Sequence, residues 1–124
     1  AGQIKGGEPR LFLIYPEGNF IEASFDTPFF QIGETKYGRP ILVRAYDRDM
    51  SFNDAIKLLM VSFDSTIKAN LSVDLPLDLQ IYASNSFAGR NRRISVSDPY
   101  YNLIADQWSD ALKNAFHSLP DYTG

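Results

Sequence analysis

The chain has 124 residues, 44% of them hydrophobic and 22% charged, with a formal net charge of -3 and a pI near 5.0. That length suits one domain with one core, and the acidic balance argues against a nucleic-acid partner, which selects for a basic face. With no cysteine in the sequence, disulfide frameworks and thiolate metal sites are excluded.

No apolar run approaches the roughly 18 residues of a membrane-crossing helix. The opening Ala1-Gly-Gln-Ile-Lys-Gly6 carries no hydrophobic leader segment. These features give the expectation of a cytoplasmic protein with no membrane partner, no nucleic-acid partner and no cofactor. There is also no initiator methionine, which gives the expectation of a chain cut from something longer.

In chain order, Arg10–Tyr15 reads as a strand with apolar residues on both faces, Leu11 and Leu13 against Phe12 and Ile14. Both faces are therefore expected to be buried. Pro16-Glu-Gly-Asn19 is a turn, and Asn19–Ser24 returns as the second arm of a hairpin. Thr27–Ile32 reads as a third extended piece, with Pro28 keeping its start out of a ladder interior.

Gly33–Gly38 is a strand-to-helix elbow. Arg39–Tyr46 is a short helix, with Pro40 tolerated in its first turn. Asp47–Asp49 is a solvated loop. Ser51 then caps a long helix, with Asp54 as a carboxylate version of the capping box. Its apolar stripe is Phe52, Ala55, Ile56, Leu59, Met60, Phe63 and Ile67. Leu58 and Val61 lie off that stripe, so the helix is expected to be covered on more than one side. Pro76 marks the loop beyond it.

Leu77, Leu79, Ile81 and Ala83 alternate with polar neighbours as a half-buried strand. Asn85–Asn91 is a hairpin loop, and Arg92–Ser97 is the returning strand with Ile94 and Val96 inward. Ser97 or Asp98 caps a second long helix with Pro99 at its first position. That helix has an apolar face of Tyr101, Ile104, Trp108, Ala111, Leu112, Ala115 and Phe116. Strands followed by packed helices make an α+β chain, or one half of a layered sandwich.

Motifs that carry chemistry are sparse. His117, the one histidine, lies in a last helical turn and reads as a surface cap. Arg90, Arg92 and Arg93 read as a solvated basic turn, with an acidic neighbour as the functional alternative. Gly33-Glu34 at the mouth of a helix reads as a plain elbow that could present backbone N–H groups to an anion. Asp64, Ser65, Thr66, Asn70, Ser72 and Asp74 put polar groups near the end of the long helix, where fraying is the simplest reading. No nucleophile–base pair and no glycine-rich phosphate loop stands out.

Longer stretches say more. Phe29–Leu42, Val61–Val73, Pro76–Ile81, Trp108–Pro120, Gly2–Gly6 and Leu11–Asn19 together resemble the C-terminal half of bacterial proteasome-type proteases, the ancestral β-subunit group. The resemblance covers nearly the whole chain. It implies part of an αββα four-layer N-terminal-nucleophile hydrolase sandwich, antiparallel sheets covered by helices. It also implies threonine-peptidase chemistry, in which the hydroxyl of a chain-opening Thr attacks a peptide carbonyl and its own amine manages the proton.

Here the first residue is Ala1, and Thr27, Thr35, Thr66 and Thr123 are internal. The resemblance places the nucleophile, its lysine and a supporting aspartate in the other half. The expectation is thus a single truncated domain over 1–124, inactive by itself, and homo-oligomeric in rings or helices. Its complete form is expected to act on peptides or unfolded proteins.

The family's Gly-Ser-Gly turn near the nucleophile's amine corresponds to Gly33-Glu34-Thr35, so Gly33 matches and Glu34 does not. Asn70 and Ser72 lie where the family has an Asp and a Ser. Gly33, Glu34, Asn70 and Ser72 are therefore the candidate supporting residues. A non-catalytic interaction domain on the same scaffold, or an unrelated small α+β binding module, are the alternatives.

Overall fold

The computed structural model describes all 124 residues. It is an α+β structure with three helices and two two-stranded sheets, and it divides into two compact units.

The first unit comprises residues 1–33 and 77–93. Strands β1 (Phe12–Ile14) and β2 (Phe20–Glu22) pair antiparallel in the register Phe12↔Glu22, Leu13↔Ile21, Ile14↔Phe20. The turn between them is closed by Tyr15 N–H to Asn19 O and Gly18 N–H to Tyr15 O, both 2.9 Å. Gly18 sits at φ +90°, where a side chain would be strained. Arg10 grips Glu22 with two 2.6 Å bonds and lies over the Phe12 ring. The hydrogen bond from Arg10 holds the Glu22 carboxyl below its ordinary range.

The expectation of a strand buried on both faces is not met within this chain: Ile14 is 71% exposed and Phe20 63%. The third extended piece also makes no ladder. Residues 25–27 bend and 28–32 carry no regular secondary structure, with Ser24 and Thr27 bonded through backbone and hydroxyls.

Strands β3 (Leu77–Tyr82) and β4 (Gly89–Ile94) form the second sheet. Leu77, Leu79 and Ile81 are half-buried while Asp78 and Gln80 are exposed, as the alternation requires. Strand β4 starts earlier and ends sooner than expected. After Ile94 the chain turns, Asp98 N–H bonding Ser95 O at 3.0 Å, so Val96 lies in that turn and is exposed.

The second unit comprises residues 34–76 and 94–124. It holds helices α1 (Arg39–Ala45), α2 (Phe52–Ala69) and α3 (Pro99–His117), with α2 packed against both others. Their starts are local chemistry. The Ser51 hydroxyl accepts from Asp54 N–H at 3.1 Å and donates to the Asp54 carboxylate at 2.8 Å. The buried Asp98 carboxylate accepts from the N–H groups of Tyr100 and Tyr101, each 3.0 Å.

The buried side of α2 is not its most apolar stripe. Phe52, Leu59 and Phe63 are 54%, 40% and 41% exposed, whereas Ser62, Asp64 and Thr66 are buried alongside Met60 and Val61. For Ser62 and Thr66 the reason is a close crossing. Gly38, just before α1, lies so near α2 that a Cβ there would collide with the Ser62 side chain. Only small side chains on α2 permit that approach. Thr66 satisfies its hydroxyl by donating to Ser62 O at 2.9 Å.

Candidate functional site

The candidate residues sit where the turn entering α1 meets the end of α2. Gly33 has φ +78°, a left-handed conformation open to glycine at no steric cost. The chain then presents Glu34, whose Oε1 accepts from Lys36 N–H at 2.8 Å. At the other side, Asn70 ends α2 in an extended conformation, its N–H bonded to Thr66 O. The Asn70 side-chain Oδ1 accepts from both Ser72 N–H at 2.8 Å and Ser72 Oγ at 2.7 Å, the Asx geometry that turns a chain out of a helix. Its Nδ2 donates to Glu34 Oε2 at 2.9 Å.

The sequence therefore nominated residues that the structure links. Glu34, Asn70 and Ser72 form one chain of hydrogen bonds in which Asn70, as both donor and acceptor, is the hub. Gly33, the residue before Glu34, closes the first unit in a left-handed conformation and makes none of these bonds. Glu34 and Asn70 are half-buried, and Ser72 is exposed. Donors on both carboxylate oxygens fix its plane, which is what a group meant to orient a neighbour needs.

The hydroxyl in this network is not set up to attack. An activated hydroxyl gives its proton to a base, and Ser72 Oγ gives its proton to an amide oxygen instead. No group of three His, Asp or Glu side chains converges as a metal cage would require.

The other candidates fall elsewhere. His117 is exposed in the last turn of α3, its ring edge-on to Phe116. The arginines lie on β4 rather than in a turn, with Arg93 paired to Asp78 at 3.1 Å.

The polar run at the end of α2 is not frayed. Asp64 is buried and accepts from Lys68 Nζ at 2.9 Å, and that ammonium also donates to Ser109 Oγ on α3 at 3.0 Å. Burial, with Asp64 and Asp74 adding to it, pushes the Tyr101 phenol up to about 12. This polar seam between α2 and α3 escaped sequence reasoning. The Asp64/Lys68 spacing of four was the available signal.

No protein-family model matches the sequence, and no curated protein does. Solved structures do. A Gly-1 mutant of Anbu from Hyphomicrobium sp. strain MC1 is 54% identical with a TM-score of 0.95, over 98% of this chain and 53% of that one. Anbu (ancestral beta-subunit) from Yersinia bercovieri is 47% identical with a TM-score of 0.94, over 98% and 53%. The helical assembly of the Anbu complex from Pseudomonas aeruginosa gives 46% and 0.93, over 98% and 51%. The chain thus spans between 51% and 53% of the length of these relatives. Within that span the likeness is one of sequence as well as fold, and it is to ancestral β-subunit proteins.

Proposed function

We propose that this chain is the C-terminal half of a proteasome-type subunit of the ancestral β-subunit group, a threonine peptidase when complete. The observation that carries this reading is the match of 98% of the chain, at 54% identity, to 53% of the length of an Anbu protein. The apolar surface left bare on β1, β2 and one stripe of α2 supports it, because the sheet and helix faces that an αββα sandwich packs inward need further chain to cover them when only half of it is present.

In this reading the remaining half brings the threonine and its lysine. The threonine hydroxyl attacks the peptide carbonyl, its proton passes to the chain-opening amine, and that ammonium then protonates the leaving amine. This half brings the scaffold under that amine. Glu34, its plane fixed by Lys36 N–H and Asn70, holds the amine in place, and Ser72 locks the Asn70 rotamer. The complete protein is cytoplasmic, self-assembling and acts on peptides or unfolded proteins.

A second reading, a non-catalytic assembly domain on the same scaffold, is favoured by one feature: a carboxylate, Glu34, stands where the family has a serine. Kinetics of the complete subunit separate the two. The peptidase reading expects peptide hydrolysis that a threonine-directed inhibitor stops and that Asn70→Ala slows through kcat. A complete subunit that assembles but neither turns over peptide nor takes the inhibitor would leave the assembly reading standing.

A further inference from the structure

Asn70 is the hub of the candidate site, and it stands just past the last turn of α2. Helix ends are where backbone bonds run out and where chains open first. Its backbone hold on the helix is a single bond, N–H to Thr66 O at 2.9 Å. The bond from its side chain to Glu34 joins residues 36 apart in sequence and is 2.9 Å long. A contact of that kind needs the helix end fixed to within about 0.5 Å. Tertiary contact has to supply what the helix end lacks.

Lys68 supplies it two residues earlier. Its ammonium donates to Asp64 Oδ2 on the same helix at 2.9 Å and to Ser109 Oγ on α3 at 3.0 Å. Ser109 is turned to receive it: its own proton goes to Ala105 O at 3.0 Å, so its lone pairs are left for the lysine. The donor chain runs one way, from Lys68 to Ser109 to Ala105. The Asp64 side chain is 6% exposed and the Lys68 side chain 53%. A buried carboxylate stripped of its cation is strongly disfavoured, so Asp64 keeps the ammonium at the seam rather than in water. A cation in the last turn also suits the negative end of the helix dipole. Glu34, Lys68, Asn70 and Ser109 all belong to the second unit, so the tie and the site share one body.

We propose that Lys68 and Ser109 are positioning residues: their bond from α2 to α3 holds the last turn of α2 where Asn70 meets Glu34. The inference rests on the peptidase reading above, and it adds two residues that make no bond to the Glu34–Asn70–Ser72 network themselves.

The experiment is kinetics of the complete subunit carrying Ser109→Ala, Ser109→Thr or Lys68→Met/Asp64→Asn, with a melting curve and a crystal structure of each. Ser109→Ala removes the cross-helix bond and leaves the Asp64–Lys68 pair. Alanine is also the better helix former, so the melting temperature should not fall. The value of kcat should drop about tenfold at nearly unchanged KM, short of the roughly 100-fold that a 1 Å misplacement can cost. The Asn70 amide should move out of reach of Glu34. Ser109→Thr keeps the hydroxyl and should return kcat to near wild type. Lys68→Met/Asp64→Asn removes the cation without stranding a buried carboxylate, and should repeat the Ser109→Ala loss.

Wild-type kcat in Ser109→Ala, or an Asn70–Glu34 bond unmoved in its crystal structure, would overturn the positioning role and leave the peptidase reading standing. A kcat loss that follows a lower melting temperature and that threonine does not restore would reduce the pair to a structural contact and sink the proposal too. A wild-type complete subunit that hydrolyses no peptide would overturn the peptidase reading and the inference together.

Discussion

Gly38→Ala sets two opposed effects against each other at the crossing of α1 and α2. Gly38 has φ -86° and ψ -38°, a conformation alanine adopts freely. The backbone term alone therefore favours alanine by about 0.4–1 kcal/mol, through a less flexible unfolded chain. The added Cβ, however, would press on the Ser62 side chain and lie 3.0 Å from Thr66 Oγ1 and 3.1 Å from Ser62 O. The Ser62 hydroxyl can rotate away. The Ser62 carbonyl belongs to the backbone in the middle of α2, and the Thr66 hydroxyl is bonded to it. Relief then needs the helices to part by a few tenths of an ångström, and overpacking of this sort costs about 1–3 kcal/mol. The clash should win, with a net loss of about 1–2 kcal/mol.

Urea unfolding is the assay, read as a lower midpoint at unchanged slope. Because α1 follows the elbow that carries Glu34 and α2 ends at Asn70, the same shift should loosen the 2.9 Å Glu34–Asn70 bond. Gly38→Ala/Ser62→Ala should recover little of the loss, since the hydroxyl can rotate away in any case and the Ser62 carbonyl and Thr66 contacts remain. A Gly38→Ala chain that unfolds at higher urea than wild type would refute the close-crossing argument.

Asp98→Ala removes a buried cap that satisfies two N–H groups of α3, and should cost about 1–2 kcal/mol with loss of helical circular dichroism at the unfolding midpoint. Tyr101 gives a pH dependence. Its phenol titrates near 10.0 when unfolded and at about 12 when folded, so the folded state keeps its proton longer. Stability should be full below pH 10.0 and fall as pH rises to about 12, and Tyr101→Phe should remove that decline in alkaline melting curves. In the complete subunit, Glu34→Gln keeps the shape of the side chain and loses its charge. It should lower kcat with KM nearly unchanged and alter the pH profile of kcat, a change a purely structural role would not produce.

What the sequence revealed was what is decided locally. Ser51 with Asp54, and Asp98 with Pro99, are cap signals whose partners lie within three residues, and both helices begin there. The Gly18 turn and the β3 alternation are legible for the same reason. The buried face of α2 was not. Periodicity reports hydrophobicity, whereas the contact at Gly38 selects for small side chains, so Ser62 and Thr66 go inward while Phe63 stays out. Val96 fits a strand by alternation, but the turn that leads to the Asp98 cap takes it out of the ladder. Glu34, Asn70 and Ser72 could be nominated by resemblance. Their bonds to one another depend on where an elbow and a helix end meet 36 residues apart in sequence, and no local pattern encodes that.

The central claim is that this chain supports a reactive threonine it does not contain. Peptide hydrolysis measured on the purified 124-residue chain, beside the complete subunit, tests it most directly. The account predicts no turnover from the chain alone, and turnover from the complete subunit that ends when a threonine-directed inhibitor labels its first residue. Inhibitor-sensitive hydrolysis by the 124-residue chain itself would contradict it.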